Sequence, residues 1–274
     1  MRSAEADSSD LAPKSRKRAA VIGPLASRRI LGQRVDVTHY ARATEAILAL
    51  AEARAGGMAC ASTVHMVMEG HDDPEFRRLV NAADLITSDG MPLVWMLRAL
   101  GASGATRVYG PDLTPIVCEA AAERGIPVGF YGSTEDVLDG LASALIARYP
   151  RLSIGFRWSP PFGACSEAED EQVVEAIHDS GIGVLFVGLG CPKQERWMAA
   201  HRDRLDCALV GVGAAFDFVA GRKPSAPAWI QRAGLEWGFR LACEPKRLWR
   251  RYLRHNPRFA MLALAQLWRE LVSS

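Results

Sequence analysis

The chain has 274 residues, 49% apolar and 23% charged, the balance of a soluble globular protein with one main core and an appendage. It holds no run of about 18 apolar residues able to span a bilayer, which argues against an integral membrane protein. Net charge is only +2, yet Arg240 to Arg258 carries seven Lys/Arg against one acid, Glu244, which implies an anionic partner.

Residues 1–25 are polar and then basic. Their apolar part, AAVIGPLA, is short and contains a proline, so they are expected to be a disordered N-terminal tail rather than a signal peptide. From Gly32 onward, short apolar runs alternate with helix-length amphipathic stretches. Strands are expected at 58–64, 84–89, 126–132, 152–158, 183–190 and 207–213. Helices are expected near 75–82, 91–100, 112–124, 134–149, 167–179 and 192–204. This alternation predicts an α/β fold: a Rossmann-like, mainly parallel sheet with helices on both faces. The core is expected over 26–225, with a basic helical appendage over 226–274. Trp229, Trp237, Trp249 and Trp268 are interleaved there with arginines, a pattern suited to an anionic membrane surface. The six cysteines, at 60, 118, 165, 191, 207 and 243, show no C-x-x-C or paired-histidine spacing. That points to a reducing cytoplasm and against a disulfide framework or zinc site.

Ligands of such a sheet sit at the carboxyl ends of its strands, which singles out Thr63, His65, Asp89, Gly90, Gly132, the stretch Gly188 to Gln194, and Gly211 to Asp217. GLGCPK and GVGAAF both lack the third glycine of a dinucleotide loop, so an NAD-linked oxidoreductase is disfavoured. Pro192 opens a helix whose free N–H groups would suit a phosphate. Gln194 is either a contact to a base or sugar or simply solvated, and Glu195 either caps the helix or has a function. Asp89 is either an N-cap or a general base beside the permissive Gly90. Arg107 is either a surface arginine or a diphosphate clamp. Asp217 is either a buried structural acid or a sugar acceptor, and His65 either a structural histidine or a catalytic one. With no D-x-D motif, a diphosphate would have to be neutralised by arginines and backbone N–H groups.

DGMPLVW, RVYGPDL, the SPPFG loop, VGLGCPKQERW, GVGAAFDFVAG and APAWIQRAGLEWGFRLACEPKRLWRRY together resemble the WecG/TagA/CpsF glycosyltransferase family, from about Leu31 to about Pro257. The resemblance implies an inverting, metal-independent enzyme without a cofactor. It would move a sugar, N-acetylmannosamine-type or a uronic acid, from a UDP-sugar to a polyprenyl-diphosphate-linked acceptor in bacterial surface polysaccharide synthesis. Such an enzyme is cytoplasmic and peripheral on the inner face of the cytoplasmic membrane. No nucleic-acid partner is expected, and self-association is plausible for a sheet protein of this kind. By the same resemblance Asp89 is the base, while Arg107 and Gln194 belong to the donor pocket with Thr63, Gly90, Gly132, Gly188, Gly190 and Asp217. Arg240, Arg247 and Arg250 would stabilise the departing UDP. The family's T-x-N falls on Thr63 and His65 in one register and on Ala61 and Thr63 in the other, and in both the asparagine is absent. Ser225 stands where the family has arginine, with Arg222 and Lys223 nearby. The alternative is a non-catalytic binder of nucleotide sugars or lipid phosphates in a polysaccharide assembly complex.

Overall fold

A computed structural model describes residues 11–273, apart from 162, 164 and 165. The first ten residues of the expected tail, Phe162 of the SPPFG loop and Cys165 lie outside the described residues. The chain begins with α1 (Leu11–Ile22), β1 (Ser27–Ile30), β2 (Gln33–Asp36), α2 (Tyr40–Glu52), β3 (Met58–Ser62), α3 (Val64–Asp72), α4 (Pro74–Asn81) and β4 (Leu85–Ser88). It continues through α5 (Met91–Ala99), α6 (Gly110–Arg124), β5 (Val128–Gly132), α7 (Glu135–Arg148), β6 (Ile154–Trp158), α8 (Glu167–Ser180) and β7 (Val184–Gly188). The last elements are α9 (Lys193–His201), β8 (Ala208–Gly211), α10 (Ala215–Val219), α11 (Ala228–Arg232), α12 (Glu236–Cys243) and α13 (Pro245–Ser273).

Six strands form one parallel sheet in the order β4-β3-β8-β7-β5-β6. All six expected strands are present, each a few residues shorter than the apolar run that marks it. The runs are continuous because both faces are covered. In β7, Val184 and Phe186 belong to one core with Leu48 of α2, Leu113 of α6 and Leu138 of α7. Leu185 and Val187 face the other way, toward Phe76 of α4, Val173 of α8 and Met198 of α9. Burying each such side chain stabilises the fold by roughly 1.5–3 kcal/mol.

The structure corrects the expected tail: residues 11–22 form α1. Arg18 is 1% exposed, with ion pairs to Asp84 at 3.1 Å and Asp203 at 2.8 Å. An antiparallel hairpin, β1 with β2, also stands where no strand was expected, closed by Leu31 and Gly32, both at positive φ. Its Asp36 accepts the Ile86 N–H at 2.7 Å, satisfying a backbone donor on the edge strand β4. Helices α2 and α3 fill two further stretches not assigned from the sequence.

The basic stretch and the apolar run after it are one 29-residue helix, α13, with Pro257 inside. Phe259 and Ala263 of α13 pack with Leu93 and Leu97 of α5 and Ile30 of the hairpin, a third core that seats the appendage on the sheet domain. Among the described residues no helix is long and apolar enough to cross a membrane.

Candidate active site

Asp89 follows β4 at the carboxyl edge of the sheet. It caps nothing in α5, whose N-cap is Gly90. Its Oδ2 instead accepts the N–H of Gly110, the first residue of α6, at 2.9 Å, and among the described residues no donor reaches Oδ1. Burial pushes the Asp89 carboxyl up to about 6 against the pull of Arg107 and the Gly110 N–H, so it is largely ionised at neutral pH and still basic.

Arg107 holds this loop from behind. Its Nε donates to the Asp89 carbonyl at 2.6 Å, Nη1 to Gln231 Oε1 at 3.1 Å, and Nη2 pairs with Glu236. The guanidinium also lies 4.0 Å from the Tyr109 ring centroid. One arginine thus ties the Asp89 loop to α11 and α12 of the appendage.

Asp89, Gly90, Arg107, Thr63, His65, Gly190, Gln194, Arg240 and Arg247 come together around one cavity of about 710 Å³. Thr63 is the N-cap of α3, its Oγ1 accepting the Met66 N–H at 3.3 Å, so the expected strand ends at Ser62 and His65 lies in a helix's first turn. Pro192 stands at the N-cap of α9 rather than inside the helix. Gln194 is 3% exposed, and its Oε1 accepts from Gly190 N at 3.1 Å and Gly213 N at 3.0 Å. Its Nε2 donates to Glu195 at 2.7 Å. The glutamine therefore pins the loop after β7 to the loop after β8.

Four candidates lie elsewhere. Gly132, at φ +118°, and Gly188 let two strand ends pass closely: a Cβ on Gly132 would sit 2.7 Å from the Gly188 carbonyl carbon, and one on Gly188 would sit 2.6 Å from the Phe216 ring. Asp217 pairs with Lys223 at 3.3 Å on α10, a structural contact. Arg222 pairs with Asp136 at 2.5 Å, so neither cation takes the place of the family arginine at Ser225. Arg250 is exposed and lies over Trp249, 5.3 Å from the ring centroid, outside the cavity.

Arg251 takes the position expected for Arg250. Arg247, Arg251, His255, Phe259, Ala263 and Leu267, four residues apart, form one ridge of α13 along the cavity wall. Residues four apart stand one above the other on adjacent turns, so Arg251 could be read from the sequence once Arg247 was placed. The Nε atoms of Arg240 and Arg251 are buried without a hydrogen-bond partner, and neither arginine has an ion pair among the described residues. Each such donor costs about 1–3 kcal/mol until an acceptor meets it. Four arginines and two carboxylates line this end of the cavity. Met96 and Ala99, further along α5, line the cavity with Ala263 and Leu267, and Trp95 stands between, against Gly234.

Fold and cavity place the chain among Rossmann-like α/β proteins that hold their ligands beyond the carboxyl ends of parallel strands. Residues 28–272 match the model of the Glycosyl transferase WecG/TagA/CpsF family, and the chain belongs to that family. Among its relatives is an N-acetylglucosaminyldiphosphoundecaprenol N-acetyl-beta-D-mannosaminyltransferase of Bacillus subtilis (strain 168). The two are 28% identical over 195 residues, 71% of this chain and 73% of the relative.

Proposed function

We propose that this glycosyltransferase moves a sugar from a UDP-sugar to a polyprenyl-diphosphate-linked saccharide, with inversion and without a catalytic metal. The observation that carries the reading is the free Oδ1 of Asp89 in one cavity with two arginines, Arg240 and Arg251, whose buried donors have no partner. Asp89 removes the proton of the acceptor hydroxyl, and that oxygen attacks the anomeric carbon. The bond from that carbon to the UDP oxygen breaks, and UDP leaves with the electron pair, its charge met by Arg240, Arg247 and Arg251. Attack opposite the leaving group inverts the anomeric centre.

The cavity's lining supports the acceptor reading. An anionic head beside arginines and an apolar tail between α5 and α13 suit a lipid diphosphate, and the acceptor in the Bacillus subtilis relative's name is of that kind. Trp249, Leu253, Met261, Leu264 and Trp268 are exposed on α13, with Trp229 and Trp237 before it. Such aromatics among basic residues suit peripheral attachment to the inner face of the cytoplasmic membrane. The transferred sugar is of the N-acetylmannosamine type or a uronic acid. The test is UDP release from a panel of UDP-sugars with a short polyprenyl-diphosphate-sugar acceptor and with EDTA present. Thermal stabilisation by NAD and none by UDP would overturn the reading.

A further inference from the structure

Where α3 meets α13, three side chains converge on one point. His65 Nε2 lies 3.3 Å from Glu69 Oε1, and His255 Nε2 lies 3.6 Å from the same oxygen. The two imidazoles meet edge to face with centroids 5.1 Å apart, and one ligand atom from each of the three residues lies within 4.8 Å of the others. Among the described residues no other group of histidine, cysteine or carboxylate side chains has this arrangement.

We propose that His65, Glu69 and His255 bind a divalent transition cation that fastens the appendage helix α13 to α3.

A tetrahedral ion with arms of 2.0–2.1 Å holds its ligand atoms about 3.3–3.4 Å apart. Two of the three edges already stand near that length. The third, at most 4.8 Å, closes with about 1.4 Å of side-chain movement or less. His255 Nδ1 has no hydrogen-bond partner, so no bond on the far side of the ring opposes that turn.

The donors have the right chemistry. Two imidazoles and one carboxylate suit zinc, cobalt or nickel rather than magnesium or calcium, which take oxygen ligands. Burial and neighbouring Arg251 and His255 push the His65 imidazole down to about 3, and burial lowers His255 as well, the direction that favours the neutral, ligating form. Arg251, Arg254 and Arg258 oppose a dication here, while Glu69 and Asp72 offset them. His65 and Glu69 are one turn apart on α3, and His255 follows Arg251 by one turn on α13. The cation therefore fixes the rotation of the helix that carries Arg247 and Arg251 along the cavity wall. The ion takes no part in the proposed proton transfer at Asp89, although His65 and His255 line the same cavity, so its binding is tested without substrate.

The test uses the full-length chain, stripped of metal and titrated with Zn2+ by calorimetry and with Co2+ by its visible absorption. One equivalent per chain is expected, with the absorption of tetrahedral Co2+. Affinity should fall about tenfold or more in each of His65→Ala, Glu69→Gln and His255→Ala. Zn2+ should also slow hydrogen exchange at the start of α13 in the wild type and leave it unchanged in Glu69→Gln, the substitution closest in shape. Absence of binding at millimolar Zn2+ would overturn the proposal. So would binding that survives all three substitutions, because the ion would then sit elsewhere, for instance on cysteine.

Discussion

Asp89 Oδ2 accepts the N–H of Gly110 at 2.9 Å, so the carboxylate that ends β4 is oriented by the first residue of the helix beside it. An asparagine in its place keeps an oxygen for that bond and loses the base. Asp89→Asn is expected to lower turnover about 10³-fold or more while changing UDP affinity less than about threefold, measured by UDP release and calorimetry. Near wild-type turnover would remove Asp89 from the mechanism.

The same substitution is expected to stabilise the fold at neutral and alkaline pH. Asp89 is raised from 3.8 to about 6 in the folded chain, so folding favours its protonated form. That stabilisation is present below about pH 4 and is lost as pH rises through 6, a change of at most about 3 kcal/mol. Asp89→Asn should therefore melt with the wild type at pH 4 and above it at pH 8. In the wild type, kcat/KM should rise with pH through about 6.

Glu195 is a second buried carboxyl, fully enclosed, with Oε2 unpartnered and burial pushing it up to about 7. The sign is the same and the window higher: stability present below about 4.5 is lost as pH rises through 7. Glu195→Gln should remove that part of the alkaline loss, read as a denaturation midpoint that falls less between pH 6 and 8. An identical pH dependence in both proteins would refute it.

Arg251 and Arg250 are neighbours on α13 with opposite surroundings. Replacing Arg251 or Arg240 by alanine should weaken UDP binding about 10- to 100-fold, the worth of a hydrogen bond to a charged group. Arg250→Ala should change it less than about twofold. Equal losses in Arg250→Ala and Arg251→Ala would mean that the helix presents another face.

Gly188 touches the Phe216 ring rather than the cavity. Gly188→Ala should cost about 1–3 kcal/mol of stability through overpacking, while protein that remains folded binds UDP normally. Denaturant midpoints and calorimetry separate the two effects, and a loss of binding without a loss of stability would return Gly188 to the pocket.

The parallel sheet was legible because strands buried on both faces are written as unbroken apolar runs, as in VLFVG of β7. Asp89, Arg107 and Gln194 were legible because the strand-end rule and the motifs around them agree on their places. Their detailed partners were not: Gln194 spends its oxygen on two backbone N–H groups, and Arg107 spends its donors on the Asp89 loop and the appendage. The hairpin was hidden because SRRILGQRVD places only Ile30 and Val35 in the core. Helix α1 was hidden because its anchor, Arg18, is buried by partners 66 and 185 residues away, which no local pattern encodes. His65 and His255 meet for the same nonlocal reason, beyond the reach of any ligand-spacing motif.

The ridge of α13 also sets a distance. From Arg251 to Leu267 the helix rises about 24 Å at roughly 1.5 Å per residue, so on the proposed reading one rod sets the separation between the arginines that meet the diphosphate and the apolar residues. At roughly 100° per residue the sixteen steps add about 160° beyond whole turns, so the ridge winds around the helix between its two ends. Inserting one residue between them would turn the apolar half by roughly 100° and leave the arginines in place. On the proposed reading, a single helix therefore spaces the lipid tail from the leaving group, and a change of length between Arg251 and Leu267 alters both their distance and their relative direction.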